Sequence, residues 1–202
     1  MLKPPATMHG FSMIEVLVTL TLAAMLMALG APSFSLWLQN SRIRTTAESI
    51  MAGLQYAKSE ATARNALVRF QLTTSVGADC AISTTGTSWV VDVVDAVNDS
   101  VVGQCNAAPS DTVAPSILQT RSGNDGSGRS AVQATAAEMV FNGLARLTPA
   151  PAGVINIDIN NPGAGLCAAQ GGDLTCLRIV VSPAGQVRMC NPRFPAGDSQ
   201  AC

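Results

Sequence analysis

From Phe11 to Ala31 nearly every residue is apolar or small, and that run limits the chain's options more than any other feature. A helix of about 20 such residues, rising about 1.5 Å per residue, matches the hydrocarbon thickness of one bilayer. Three readings compete: a cleaved secretory signal, a permanent anchor and a buried core helix. Lys3 and His9 ahead of the run, and small residues at Ala28-Leu29-Gly30, suit a cleaved signal. Pro32 just beyond that site and Glu15 inside the run oppose it. A carboxylate in hydrocarbon costs roughly 2.5–3.5 kcal/mol on insertion scales, so Glu15 needs a cation. If the bond after Gly10 is cut, Phe11 acquires a free amine four residues from Glu15, the spacing of one helical turn. A neighbouring copy's amine could then neutralise the carboxylate inside the membrane.

The 202 residues leave room for one globular domain behind such an appendage. Charged residues are 12% and aromatics 4%, which suits an exported β-rich domain better than a cytosolic enzyme. A net charge of −1 provides no global field to attract nucleic acid, so any such binding needs a local patch. The stretch from Leu177 to Cys202 is mildly basic, with Arg178, Arg188 and Arg193 against Asp198. Cys80, Cys105, Cys167, Cys176, Cys190 and Cys202 all follow the apolar run and show no zinc-type spacing. An even set in an exported domain reads as disulfides; six cysteines allow fifteen connectivities, which sequence does not settle, and sequence neighbours are the economical guess: Cys80–Cys105, Cys167–Cys176 and Cys190–Cys202.

Beyond the run, Ile43, Ala47, Ile50, Leu54, Ala57 and Ala61 recur at three and four residues, with Arg44, Glu48, Lys58 and Arg64 elsewhere. The pattern predicts an amphipathic continuation of the same helix, its stripe buried on a sheet and Asn65 as its stop. Pro32 predicts a bend. Strand-like runs follow at Val68–Thr73, Trp89–Val94, Ser116–Gln119, Glu138–Phe141, Val154–Ile159, Leu177–Ser182 and Gln186–Cys190. Pro183-Ala184-Gly185 joins the last two as a β-hairpin. The segment from Ser122 to Gly128 reads as a flexible loop. The fold class is therefore α+β: a long N-terminal helix, its first half embedded in a membrane, packed on an antiparallel β-sheet. Four segments are expected: a leader at 1–10, a transmembrane helix at 11–31, its amphipathic continuation at 32–65 and a β-rich head at 66–202.

The stretch Gly10-Phe11-Ser12-Met13-Ile14-Glu15-Val16-Leu17 resembles the processing signature of type IV prepilins and pseudopilins. That resemblance implies a prepilin peptidase that cuts after Gly10 and methylates the amine of Phe11, with Glu15 as the charge-pairing residue in assembly. Leu54-Gln55-Tyr56-Ala57-Lys58-Ser59-Glu60-Ala61, Phe141-Asn142-Gly143 and the hairpin ending at Cys190-Asn191-Pro192 are similar to the GspH/FimT group, most of all its FimT and FimU minor pilins. The resemblance implies a structural subunit that helps prime pilus assembly and sits at the pilus tip. Its partners would be other major and minor pilins. It would start as a single-pass inner-membrane protein with a periplasmic head, and no cofactor is implied. A minor pseudopilin of type II secretion, GspH-like, would share leader, anchor and much of the sheet.

Some FimT-like proteins bind DNA during natural transformation through a Gly-Arg-x-Arg element on the final hairpin. The matching stretch here is Gly185-Gln186-Val187-Arg188, where Gln186 replaces the first arginine and removes a phosphate-pairing charge. Arg178, Arg188 and Arg193 would give weak, non-specific contact with double-stranded DNA, and a DNA receptor for uptake is the alternative role of a different class. Catalysis is not expected, because the only histidine, His9, lies in the predicted leader. Asp92, Asp95 and Asp99 lack the spacing of a calcium loop and read as solvated strand edges and turns. Trp37 reads as an interfacial anchor and Trp89 as core.

Overall fold

The computed structural model describes residues 11–94, 100–123 and 130–202. The chain divides into two compact units, Met1–Leu38 and Gln39–Cys202, and one helix, α1 (Met13–Arg64), runs through both. Gly10, His9, Asp95, Asp99 and most of the predicted 122–128 loop lie outside the described residues.

In the second unit the predicted stripe is the core. Ile43, Ala47, Ile50, Leu54, Ala57 and Ala61 are all fully excluded from solvent. Each large aliphatic buried this way contributes about 1.5–3 kcal/mol, so the stripe outweighs any propensity effect in holding the helix. Gly53 lets α1 approach closely, because a Cβ there would lie 2.7 Å from the ring of Phe70 and 2.9 Å from that of Trp89. Those rings pack at 5.8 Å, and the Trp89 indole N–H donates to Ser49 Oγ at 3.1 Å. The helix stops at Asn65, which adopts a left-handed φ of 49° that asparagine tolerates better than most residues. The Ala66 N–H donates to Ala61 O and the Asn65 N–H to Thr62 O, the two bonds of a Schellman cap.

Eight strands follow among the described residues: β1 (Val68–Thr73), β2 (Ser88–Val93), β3 (Ile117–Arg121), β4 (Ala131–Ala134), β5 (Glu138–Phe141), β6 (Ile155–Asn160), β7 (Leu177–Val181) and β8 (Val187–Cys190). Two antiparallel sheets replace the single sheet expected, ordered β3-β2-β1-β5 and β4-β6-β7-β8. β4 has no counterpart among the predicted strands. In β6 the alternation is plain, with Ile155, Ile157 and Ile159 buried and Asn156, Asp158 and Asn160 partly exposed. The six cysteines form the disulfides Cys80–Cys105, Cys167–Cys176 and Cys190–Cys202. The first closes a small separate core with Val90, Val101 and Ile117. Arg64 ties the end of α1 to this region through Asp111 at 2.9 Å, and that hydrogen bond holds the Asp111 carboxyl below its ordinary range.

Asp92 departs from its reading as a solvated strand residue. It is fully buried, opposite Arg69 in the β1–β2 register, and accepts from Arg69 Nη2 at 2.6 Å and Gln71 Nε2 at 3.0 Å. A carboxylate removed from water survives only with such partners. Asp92→Ala, which removes the buried carboxylate shared by Arg69 and Gln71, is expected to cost roughly 3–5 kcal/mol in urea unfolding of the detergent-solubilised chain. Arg44→Ala breaks the exposed Arg44–Glu48 pair on α1 and is expected to change stability by no more than about 0.5 kcal/mol.

Candidate functional site

Two regions carry the residues singled out from the sequence: the start of α1 and the hairpin of β7 and β8. Ser12 caps α1, its main-chain oxygen and its Oγ both accepting from the Glu15 N–H, at 3.1 and 3.3 Å. Glu15 therefore stands in the first turn, where the helix dipole favours a negative charge. Among the described residues it has no cationic partner.

Around Glu15 the apolar side chains of the first unit are exposed on every side of the helix. Phe11 is 84% exposed, Met13 86%, Leu17 59%, Leu20 62% and Leu26 71%. A helix that is apolar all round and uncovered in the monomer requires lipid or other helices around it. The hydroxyls of Thr19 and Thr21 donate to Val16 O and Val18 O at 2.9 Å each, so the helix satisfies its own polar side chains. No single helix among the described residues is long and apolar enough to cross a membrane. The pair Met13–Ala28 and Ser33–Arg64 passes that test together, and the break between them contains Pro32. The last turn of the first unit stacks Phe34 on Trp37 at 5.9 Å, both rings largely exposed.

The β7–β8 register puts Arg178 and Arg188 on one face of the sheet, Arg188 opposite Val180 and Arg178 two residues further along. Both guanidiniums are engaged within the chain. Arg178 grips Asp158, its cross-strand partner on β6, through Nε at 2.7 Å and Nη2 at 3.0 Å. Such a two-point contact fixes the arginine far better than a single bond. Arg188 donates to the main-chain oxygens of Ala201 and Cys202 at 2.9 and 3.1 Å, on the segment that the Cys190–Cys202 disulfide returns to β8. Arg193 is exposed at a turn made by its N–H on Asn191 Oδ1. Asp198 accepts from the Gln200 N–H instead of an arginine.

Lys58 is one of the charges that lie off the buried stripe of α1. Its Nζ donates to Gly185 O at 2.9 Å, strapping the hairpin turn to the helix. Gly185 sits at φ 78°, and a Cβ there would strike the Ala145 carbonyl. Its glycine thus serves a steric need in the turn. The role of Asp158 was legible only as one of the polar positions alternating with isoleucines in β6. Gly185→Ala, strained and overpacked at once, is expected to lower stability by roughly 1–3 kcal/mol, read as a lower urea midpoint.

The family described as type II transport protein GspH matches residues 46–185, well over half of the chain. No curated protein sequence matches it. Two crystal structures of the type IV minor pilin FimU from Pseudomonas aeruginosa strain PAO1 are similar. The one in space group P21 has a TM-score of 0.51 at 16% identity, over 82% of this chain and 98% of that one. The one in P65 has a TM-score of 0.48 at 17% identity, over 79% and 98%. At such identity a structural likeness speaks to the fold alone, and the P21 form carries it: a long helix against antiparallel sheets. The match from Thr46 to Gly185 takes in the helix stripe, both sheets and the turn that Lys58 straps, and it places this chain in the GspH family of pilin-like proteins.

Proposed function

We propose that this chain is a minor pilin of a type IV pilus, matured by cleavage between Gly10 and Phe11 and N-methylation of Phe11. It is held first in the inner membrane by residues 11–31, with its head on the periplasmic side. It then joins other pilins to prime assembly and remains at the tip. The observation that carries this reading is the helix surface from Phe11 to Ala28, apolar and exposed all round, with Glu15 as its lone charge. A soluble monomer would not keep that surface, whereas lipid before assembly and neighbouring helices afterwards would cover it. Glu15 then takes the methylated amine of a neighbouring subunit as its cation, which offsets the cost of a carboxylate in hydrocarbon. The role is structural, and it draws on the helix, the β head and three disulfides rather than on any reactive group.

Duplex DNA contact through the hairpin has little to support it here. Arg178 and Arg188 are already bound by the chain's own oxygens, and counterion release by Arg193 alone would be slight. DNA uptake is accordingly left outside the proposed role.

Deleting the chain is expected to reduce surface pili at least tenfold while type II secretion continues. Loss of secretion with normal piliation would assign it instead as a GspH-like pseudopilin. Glu15→Ala should leave the protein in the membrane fraction but remove it from sheared pili, as read by immunoblot of both fractions. Undiminished Glu15→Ala in the pili would sink the charge-pairing role.

A further inference from the structure

The partly exposed face of the second sheet carries a cavity of about 230 Å³. Its floor is a polar row, because Gln133 of β4 stands opposite Asp158 of β6, and Asp158 stands opposite Arg178 of β7. Asn160, two residues along β6, shares that face. One wall is the short 3-10 turn Ala168–Gln170, which sits over the Cys167–Cys176 disulfide. The Ala168 N–H donates to Leu174 O and the Gln170 N–H to Cys167 O, at 2.8 Å each. The other wall is Asn191-Pro192, where the chain leaves β8. There the Asn191 N–H donates to Gln200 O at 2.8 Å, and the Cys190–Cys202 disulfide holds the returning segment. Walls pinned in this way make the cavity a preformed one, as small-molecule sites mostly are.

The cavity holds more hydrogen-bonding capacity than the chain itself uses. Arg178 engages Asp158 through Nε and Nη2, which leaves about half of the carboxylate's acceptor positions and the remaining guanidinium N–H groups open. Among the described residues the side chains of Gln133, Asn160 and Gln170 make no hydrogen bond, and Asn191 uses only its Oδ1, on the Arg193 N–H. Asp158 and Arg178 are the only charges among the described residues that line the cavity, and they cancel; Asp173 and Arg193 stand outside the lining. From this arrangement we infer that the cavity binds one ring of a neutral sugar. An acceptor-only carboxylate, a donor-only guanidinium and amides that do both suit hydroxyls, each of which donates and accepts. An anion would meet Asp158 and a cation Arg178, so neither sign is favoured. At about 230 Å³ the cavity is smaller than the about 300–1,000 Å³ of drug-sized sites, so it admits a single ring and not a chain of them. An extended peptide, with donor and acceptor on opposite sides of each amide, uses a closed cluster of this kind poorly. Leu177 and Pro192 supply the apolar edge on which the C–H face of a ring can rest. Every residue involved belongs to the second unit, so the site is independent of how the helix is anchored.

The test is saturation-transfer difference NMR on the full chain in lauryldimethylamine oxide, a detergent without a sugar headgroup. The probes are the methyl glycosides of glucose, galactose, mannose and N-acetylglucosamine, and at least one of them is expected to take up saturation. Asn160→Ala with Gln170→Ala removes two amides that the fold does not use, and is expected to weaken that binding roughly fivefold for each hydrogen bond lost. Asn156→Ala, on the same face of β6 but outside the cavity lining, should leave it unchanged. Near-ultraviolet circular dichroism checks that each variant keeps its fold, and Gln170→Ala alone, on the exposed turn, replaces the double variant if the spectrum changes. Transfer to none of the four glycosides overturns the inference, as does binding that survives the loss of both amides. Stronger transfer to the methyl glycoside of N-acetylneuraminic acid, or to N-acetyl-triglycine amide, also overturns it, by assigning the cavity to an anion or to a peptide.

Discussion

The stripe from Ile43 to Ala61 is the contact on which the rest of the head depends. All six of its side chains are wholly buried, and Gly53 beside them lets the helix backbone close onto Phe70 and Trp89. Because the helix is fixed there, its end at Asn65 delivers the chain directly into β1, and Lys58 on another face can reach the hairpin turn at Gly185. Remove the stripe and the first sheet loses the helix face that Phe70 and Trp89 pack against. The disulfides then secure what the stripe cannot reach: the Cys80–Cys105 excursion, the Asn161–Cys176 loop and the segment returning from Cys190.

The same helix is apolar all round before Leu38 and apolar on one face after Gln39, so a single element meets two different surroundings. That change of pattern suits the anchored subunit proposed above. A uniformly amphipathic helix would leave lipid-facing positions polar, and a uniformly apolar one would expose hydrophobic surface on the head. The charges of the head follow a similar economy. Arg69 is spent on Asp92, Arg178 on Asp158 and Arg188 on main-chain oxygens, so arginines that look available in the sequence are components of the fold.

Much of this was legible before the structure. The helical stripe, the Asn65 stop, strands β1 and β5 to the residue and the closing hairpin all come from local pattern, which one sequence carries well, whereas the cysteine pairing was one guess among fifteen and is given by the structure. What was not legible depends on pairings between distant residues. β4 is Ala-Val-Gln-Ala, with one β-branched residue, and is a strand because β6 lies beside it. The division into two sheets has no local signature. Asp92 sits in an acidic stretch and reads as solvated until Arg69 is seen opposite it, and Asp158 gains its meaning only from Arg178 across the strand. Of the candidate site, Arg178 and Arg188 lie on the two hairpin strands where the pattern put them, while their partners and the place of Glu15 in the first helical turn emerge only from the structure.

The account depends most on how the chain begins once it is mature. N-terminal mass spectrometry of membrane-fraction protein, expressed with and without prepilin peptidase, addresses that directly. The account predicts a chain starting at N-methylated Phe11 only when the peptidase is present. An intact Met1 in both samples, or a start beyond Gly30, would contradict it.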